Sequence, residues 1–117
     1  MRGTRHFLLG PVLLLAGCYY DTEAKLYPAG TCDTTNVTWS ATVQPIVQGN
    51  CAIPGCHVAG GTGTGDFTSY QGVKDKVDNG TFRQEVVVDG TMPPDFALSA
   101  CEIQQLDVWI QAGAPQN

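Results

Sequence analysis

Two thiols and an imidazole lie close together in Cys51-Ala52-Ile53-Pro54-Gly55-Cys56-His57. Three chemistries use such residues. Two cysteines in an exported chain can form a disulfide. Two cysteines and a histidine can hold zinc, provided that a fourth ligand or a water completes the set. Two thiols can also add to the vinyl groups of a haem while the adjacent imidazole reaches the iron. The usual signature for that attachment is C-x-x-C-H. Here the spacing is C-x-x-x-x-C-H, two residues longer. The vinyl groups do not move, so the extra residues must bulge outward, and Pro54-Gly55 is a good turn dipeptide for the purpose. The spacing leaves open whether Cys51 and Cys56 both bond to haem or only Cys56 does.

The chain start decides which other ligands remain. Arg2 and Arg5 precede an apolar run over residues 7–16. That run is too short to span a bilayer, which takes roughly 20 residues. A positive start followed by a short apolar stretch describes an export signal. Leu15-Ala16-Gly17-Cys18 then resembles the lipobox of bacterial lipoproteins. The resemblance implies a signal peptide over residues 1–17, a lipid on Cys18 and membrane attachment through it. Several acyl chains hold a protein where a single one is marginal. Tyr19 is not an acidic retention signal, which favours outer-membrane sorting. Loss of residues 1–17 removes Met1 and His6. His57 is then the only histidine and Met92 the only methionine. If iron takes two strong side-chain ligands from this chain, they are His57 and Met92. Methionine opposite histidine raises the reduction potential. Iron with both axial positions filled has no open site for a substrate, so the expectation is a single-electron carrier and not an enzyme.

Composition agrees with an exported domain that depends on a cofactor. The chain has 117 residues. Without the signal, the basic residues are Lys25, Lys74, Lys76 and Arg83, set against 11 acidic ones, a net charge of −7. No basic stretch interleaved with aromatics is present, which argues against nucleic-acid binding. The acidity suits a basic protein partner. A domain this small has a thin core and usually needs a disulfide, a metal or a cofactor. Of five cysteines, Cys18 is assigned to lipid. Cys32 and Cys101 remain outside the central cluster and can pair, although four cysteines allow three connectivities.

The elements that must position the cluster follow from caps and periodicity. Residues 18–37 are polar and read as a tether, with the folded domain over residues 38–117. A first helix is expected over residues 39–49, capped by Ser40 or Thr42, with Val43, Ile46 and Val47 on one face. A glycine-rich loop follows the cluster. It lacks the Gly-Lys-Ser/Thr ending of a phosphate cradle. A second helix over residues 69–77 has Ser69 as cap and Asn79-Gly80 as stop. Residues 83–88 are ambiguous, because Val86-Val87-Val88 favours a strand but is too short to decide. Met92-Pro93-Pro94 must be extended. Ser99-Ala100-Cys101-Glu102 has the form of a capping box. Ile103, Leu106 and Ile110 follow at helical spacing, and Gly113 and Pro115 end that helix. Trp39 and Trp109 are expected at a helix crossing or packed on the haem, and Phe67 and Tyr70 in the cofactor cavity.

Taken together, residues 39–117 resemble the small c-type cytochrome domains of bacterial exported lipoproteins. The resemblance rests on Val43-Gln44-Pro45-Ile46, the segment Cys51 to His57, Phe67-Thr68-Ser69-Tyr70, Met92-Pro93-Pro94 and Trp109-Ile110-Gln111-Ala112-Gly113-Ala114-Pro115, in that order. It implies an all-α, class I cytochrome c-like fold of three to four short helices around one covalent haem. It also implies His57 as proximal ligand, Met92 as distal ligand, and redox proteins as partners. Two readings of other classes stand beside it. One is a haem-free structural or binding lipoprotein stapled by disulfides, and the other is a haem enzyme or gas sensor with an open distal site.

Overall fold

The computed structural model describes residues 32–117. The expected signal peptide, the expected lipidation site at Cys18 and residues 18–31 of the expected tether lie outside the described residues. The described part is all-α and contains no strand. Among the described residues no helix is long and apolar enough to cross a membrane.

The first helix, α1, is Gln44–Asn50, entered through a wide π-helical turn, Trp39–Val43. Its cap is Thr38, whose hydroxyl accepts the Ala41 N–H at 3.2 Å. This corrects the expectation of Ser40 or Thr42, and Pro45 supplies the reason. Proline has no N–H to continue an α-helical ladder. The chain therefore coils one turn earlier and more widely ahead of it. The Val43 N–H reaches the Thr38 carbonyl at 3.0 Å, and the Gln44 N–H reaches that of Trp39. The wide turn buries both Trp39 and Val43.

Helix α2 is Tyr70–Asp78, and Ser69 caps it by accepting the Gly72 N–H. The turn before it is set by Asp66, which accepts both the N–H and the hydroxyl of Thr68. Those two bonds hold the Asp66 carboxyl below its usual range. A short helix, α3, is Thr81–Arg83 and continues as a π-helical turn, Gln84–Val88. The valine run is therefore helical. Phe82 and Val86, four residues apart, are both buried, and this shared helical face outweighs the strand propensity of the valines. Helix α4 is Ala100–Gln111, with the reciprocal capping box between Ser99 and Glu102 in place.

These helices close around a small core in which Val43, Val47, Val73, Leu106 and Trp109 are fully buried. Trp39 and Trp109 meet where the first and last helices pack, with ring centroids 5.6 Å apart. The C-terminal tail locks the crossing. Trp109 Nε1 donates to the Pro115 carbonyl at 2.9 Å, and the Trp39 N–H donates to Asn117 Oδ1 at 2.9 Å. Tyr70 belongs to this lock. Its hydroxyl donates to the Ala114 carbonyl at 2.8 Å and its ring meets Trp39 edge-on. It does not line the cleft described below, which corrects its expected place, whereas Phe67 does.

Cys32 and Cys101 form a disulfide across 69 residues of chain. Gln105 Nε2 adds a bond to the Asp33 carbonyl at 2.9 Å. The last part of the polar stretch is thus fastened to α4. Closing a loop of this length restricts the unfolded chain by about 4 kcal/mol in the entropic account. The double variant C32S/C101S is expected to lose stability of that order in chemical denaturation. A loss under about 1 kcal/mol would show that the bridge contributes little beyond the helix packing.

Candidate functional site

The segment from Cys51 to His57 leaves the end of α1 and folds back on itself. The Cys56 N–H donates to the Ile53 carbonyl at 3.0 Å and the His57 N–H to the Cys51 carbonyl at 3.1 Å. Pro54 and Gly55 occupy the two central positions of the inner turn, and Gly55 has φ 84°. Proline followed by a residue with positive φ is the pattern of a type II turn, where glycine carries no steric cost. The additional residues of the C-x-x-x-x-C-H spacing are absorbed by this outward turn. Cys51 and Cys56 are both free thiols, so a second disulfide staple is not formed. Burial, and after it the neighbouring Cys56, pushes the Cys51 thiol up to about 11. Cys51 therefore stays a neutral thiol at physiological pH.

His57 is held on three sides. Its ring stacks on Phe67 with centroids 4.2 Å apart and planes 5° from parallel. Its Nδ1 lies 3.1 Å from the Thr64 carbonyl oxygen. A carbonyl only accepts, so this bond requires the hydrogen on Nδ1, and in the neutral ring that tautomer has its lone pair on Nε2. Such a bond from the second ring nitrogen is how metal-binding histidines are oriented. Gly63 passes against the ring face, where a Cβ would fall 2.7 Å from Nδ1 and 2.8 Å from both Cε1 and Cγ. The glycine-rich loop thus wraps the imidazole. It is tied back by the Gly63 N–H to the Cys56 carbonyl at 3.2 Å and by the Phe67 N–H to the His57 carbonyl at 2.9 Å.

Met92 comes from the segment between Val88 and α4. Its N–H donates to the Glu85 carbonyl at 3.2 Å, as does that of Thr91 at 2.9 Å. The Met92–Pro93 bond is cis. Met92 packs against the core while remaining half-buried.

Cys51, Cys56, His57 and Met92 all line one open-sided cleft of about 190 Å³. Phe67, Phe82 and Val86 contribute apolar walls, and Phe96 stands exposed beside Met92 and its prolines. The cleft therefore offers two thiols, that of Cys51 neutral, an oriented imidazole nitrogen and a thioether inside a mainly apolar lining. This donor set fits a covalently attached haem: thiols for vinyl groups, nitrogen and sulfur for iron, and aromatic surface for the ring. Among the described residues, no three of His, Cys, Asp and Glu come together as a metal-ligand set, so the four ligands of a structural zinc are not assembled here. Three contributors to the site carry no sequence signal of their own: the Thr64 carbonyl, the close approach of Gly63, and Phe82. No family model, curated protein or solved structure matches the chain.

Proposed function

We propose that this protein is a lipid-anchored electron carrier of the cell envelope, holding one covalently bound haem with His57 and Met92 as axial ligands. The observation that carries the proposal is the convergence of Cys51, Cys56, His57 and Met92 on a single cleft, although Met92 follows the others by 35 residues or more. A haem bound there supplies a reversible one-electron change at iron. The chain's residues do the rest. Cys56 and Cys51 fasten the ring edge. The Nδ1 hydrogen bond to the Thr64 carbonyl fixes the tautomer and orientation of His57 and makes Nε2 a better donor. Met92 sulfur favours the reduced state relative to a second nitrogen ligand. Phe67, Phe82 and Val86 keep water from the face of the cleft, which also favours the less charged, reduced state.

With His57 and Met92 both holding the iron, a haem in this cleft would leave no place for a substrate and would serve electron transfer. The test is the optical spectrum of the exported protein. The oxidised form is expected to show a methionine–iron charge-transfer band, and the reduced form is expected to ignore carbon monoxide. No such band, together with rapid carbon monoxide binding, would reassign the protein to a haem enzyme or gas sensor.

A further inference from the structure

The cationic side chains of the described residues are Lys74, Lys76 and Arg83. Two are committed. Lys74 pairs with Asp78 one turn away, and Arg83 Nε pairs with Asp107 at 2.8 Å. Lys76 has neither an ion pair nor a hydrogen bond from its ammonium group among the described residues, and it lines the cleft that holds Cys51, His57 and Met92. A lysine in the last turn of a helix gains from the helix dipole wherever it points. Lys76 is placed more narrowly than that. Its stem lies over the Gly65 backbone, where a Cβ would meet Lys76 Cε at 3.2 Å, and its side chain reaches the cleft half-buried.

Apart from the exposed Thr64 hydroxyl, the other polar side chains of the cleft outside His57 are either hydrogen-bonded or of opposite charge. The Thr62 hydroxyl donates to the Gly55 carbonyl at 3.0 Å, and the Thr81 hydroxyl donates to Asn79 Oδ1 at 2.6 Å. Glu85 and Asp95 also line the cleft, and both are exposed carboxylates. A ligand that brings carboxylates of its own meets like charge from these two and attraction from Lys76 alone.

We propose that Lys76 is the binding residue for a carboxylate of the cofactor, one of the two propionates that a haem carries. This rests on the haem reading above and adds to it a fixed orientation of the ring within the cleft. It also makes Lys76 a determinant of the reduction potential. A positive charge near iron disfavours the more positive, oxidised state, so its removal lowers the potential.

The test uses the full exported protein in detergent, as wild type, Lys76→Gln and Lys76→Arg, with intact mass and potentiometric titration of each. The Lys76 ammonium group has no ion pair or hydrogen bond among the described residues that its replacement would break, so all three forms are expected to fold. Lys76→Gln is expected to keep the mass of one haem and the methionine–iron band. Its equilibrium constant for reduction is expected to fall roughly ten-fold, the effect of one charge about 10 Å away at an effective dielectric near 20. For one electron that is about 59 mV. Lys76→Arg is expected to restore the wild-type value. Equal potentials in wild type and Lys76→Gln, with haem in both, would overturn the role of Lys76 and leave the haem reading intact. A wild type without the mass of a haem would overturn both.

Discussion

Replacing Met92 with alanine is expected to leave the haem attached, lower the reduction potential and open the iron to carbon monoxide. In the proposed reading, attachment depends on Cys51 and Cys56, which belong to a different segment, and His57 is held independently by Thr64 and Phe67. Both supports come from the chain between His57 and α2, and neither belongs to the loop that carries Met92. The mass of the variant should therefore equal that of wild type less the side-chain difference. Thioether sulfur raises the potential of histidine-ligated iron, so its loss moves the potential down. The drop is expected to be on the order of 100 mV or more, a fraction of the roughly 0.8 V over which axial ligands set haem potentials. The methionine–iron band should vanish at the same time. An unchanged spectrum and potential would mean that Met92 is a core residue beside the cleft and that the distal ligand lies elsewhere.

The largest effect on stability is expected at Trp109. Its side chain is fully buried, packs against Trp39 across the helix crossing and donates through Nε1 to the Pro115 carbonyl. Truncation to alanine removes the packing and orphans that carbonyl. Large aromatic truncations in cores cost about 3–5 kcal/mol, out of the roughly 5–15 kcal/mol that holds a small domain together. Each kcal/mol shifts the melting temperature of a domain this size by about 4–8 °C. Trp109→Ala should therefore melt at least about 12 °C below wild type in a thermal scan of the haem-loaded protein. A shift of less than about 4 °C would show that the cofactor, and not the crossing of the first and last helices, organises the core.

Much of this arrangement is legible in the sequence where a local rule acts alone. Ser69 and Ser99 cap their helices as the residues around them require, because a hydroxyl at a helix start meets donors only two or three residues away. Pro54-Gly55 turns the chain between the two cysteines for an equally local reason. The pairing of Cys32 with Cys101 is open among three connectivities in the sequence, and only the fold brings them together. The less legible elements are those where a tertiary demand competes with a local one. Residues 84–88 are rich in valine, yet burial of Phe82 and Val86 on one helical face decides their conformation. The first helix starts at Thr38 and not at a later hydroxyl, because a wide turn must accommodate Pro45. In the site, side-chain types announce Cys51, Cys56, His57 and Met92. The Thr64 carbonyl that orients His57 is backbone and could have been contributed by any residue at that point of the loop. Lys76 is visible as a charge, but its lack of an ion pair among the described residues and its place on the cleft exist only once α2 is packed. Tyr70, adjacent in sequence to the cap of α2, turns toward Ala114 and the tryptophan pair because its hydroxyl finds a carbonyl there.

The central claim is that one haem is bonded to this chain through the Cys51–His57 segment. The most direct test is the pyridine haemochrome spectrum of the exported protein together with its intact mass. The account predicts a c-type spectrum and a mass increased by one haem, and the position of the alpha band then shows whether one thioether or two have formed, which assigns Cys51. A colourless protein with no added mass, made where the haem-attachment machinery is present, would contradict it and leave the cleft as a feature of a disulfide-bonded, haem-free protein.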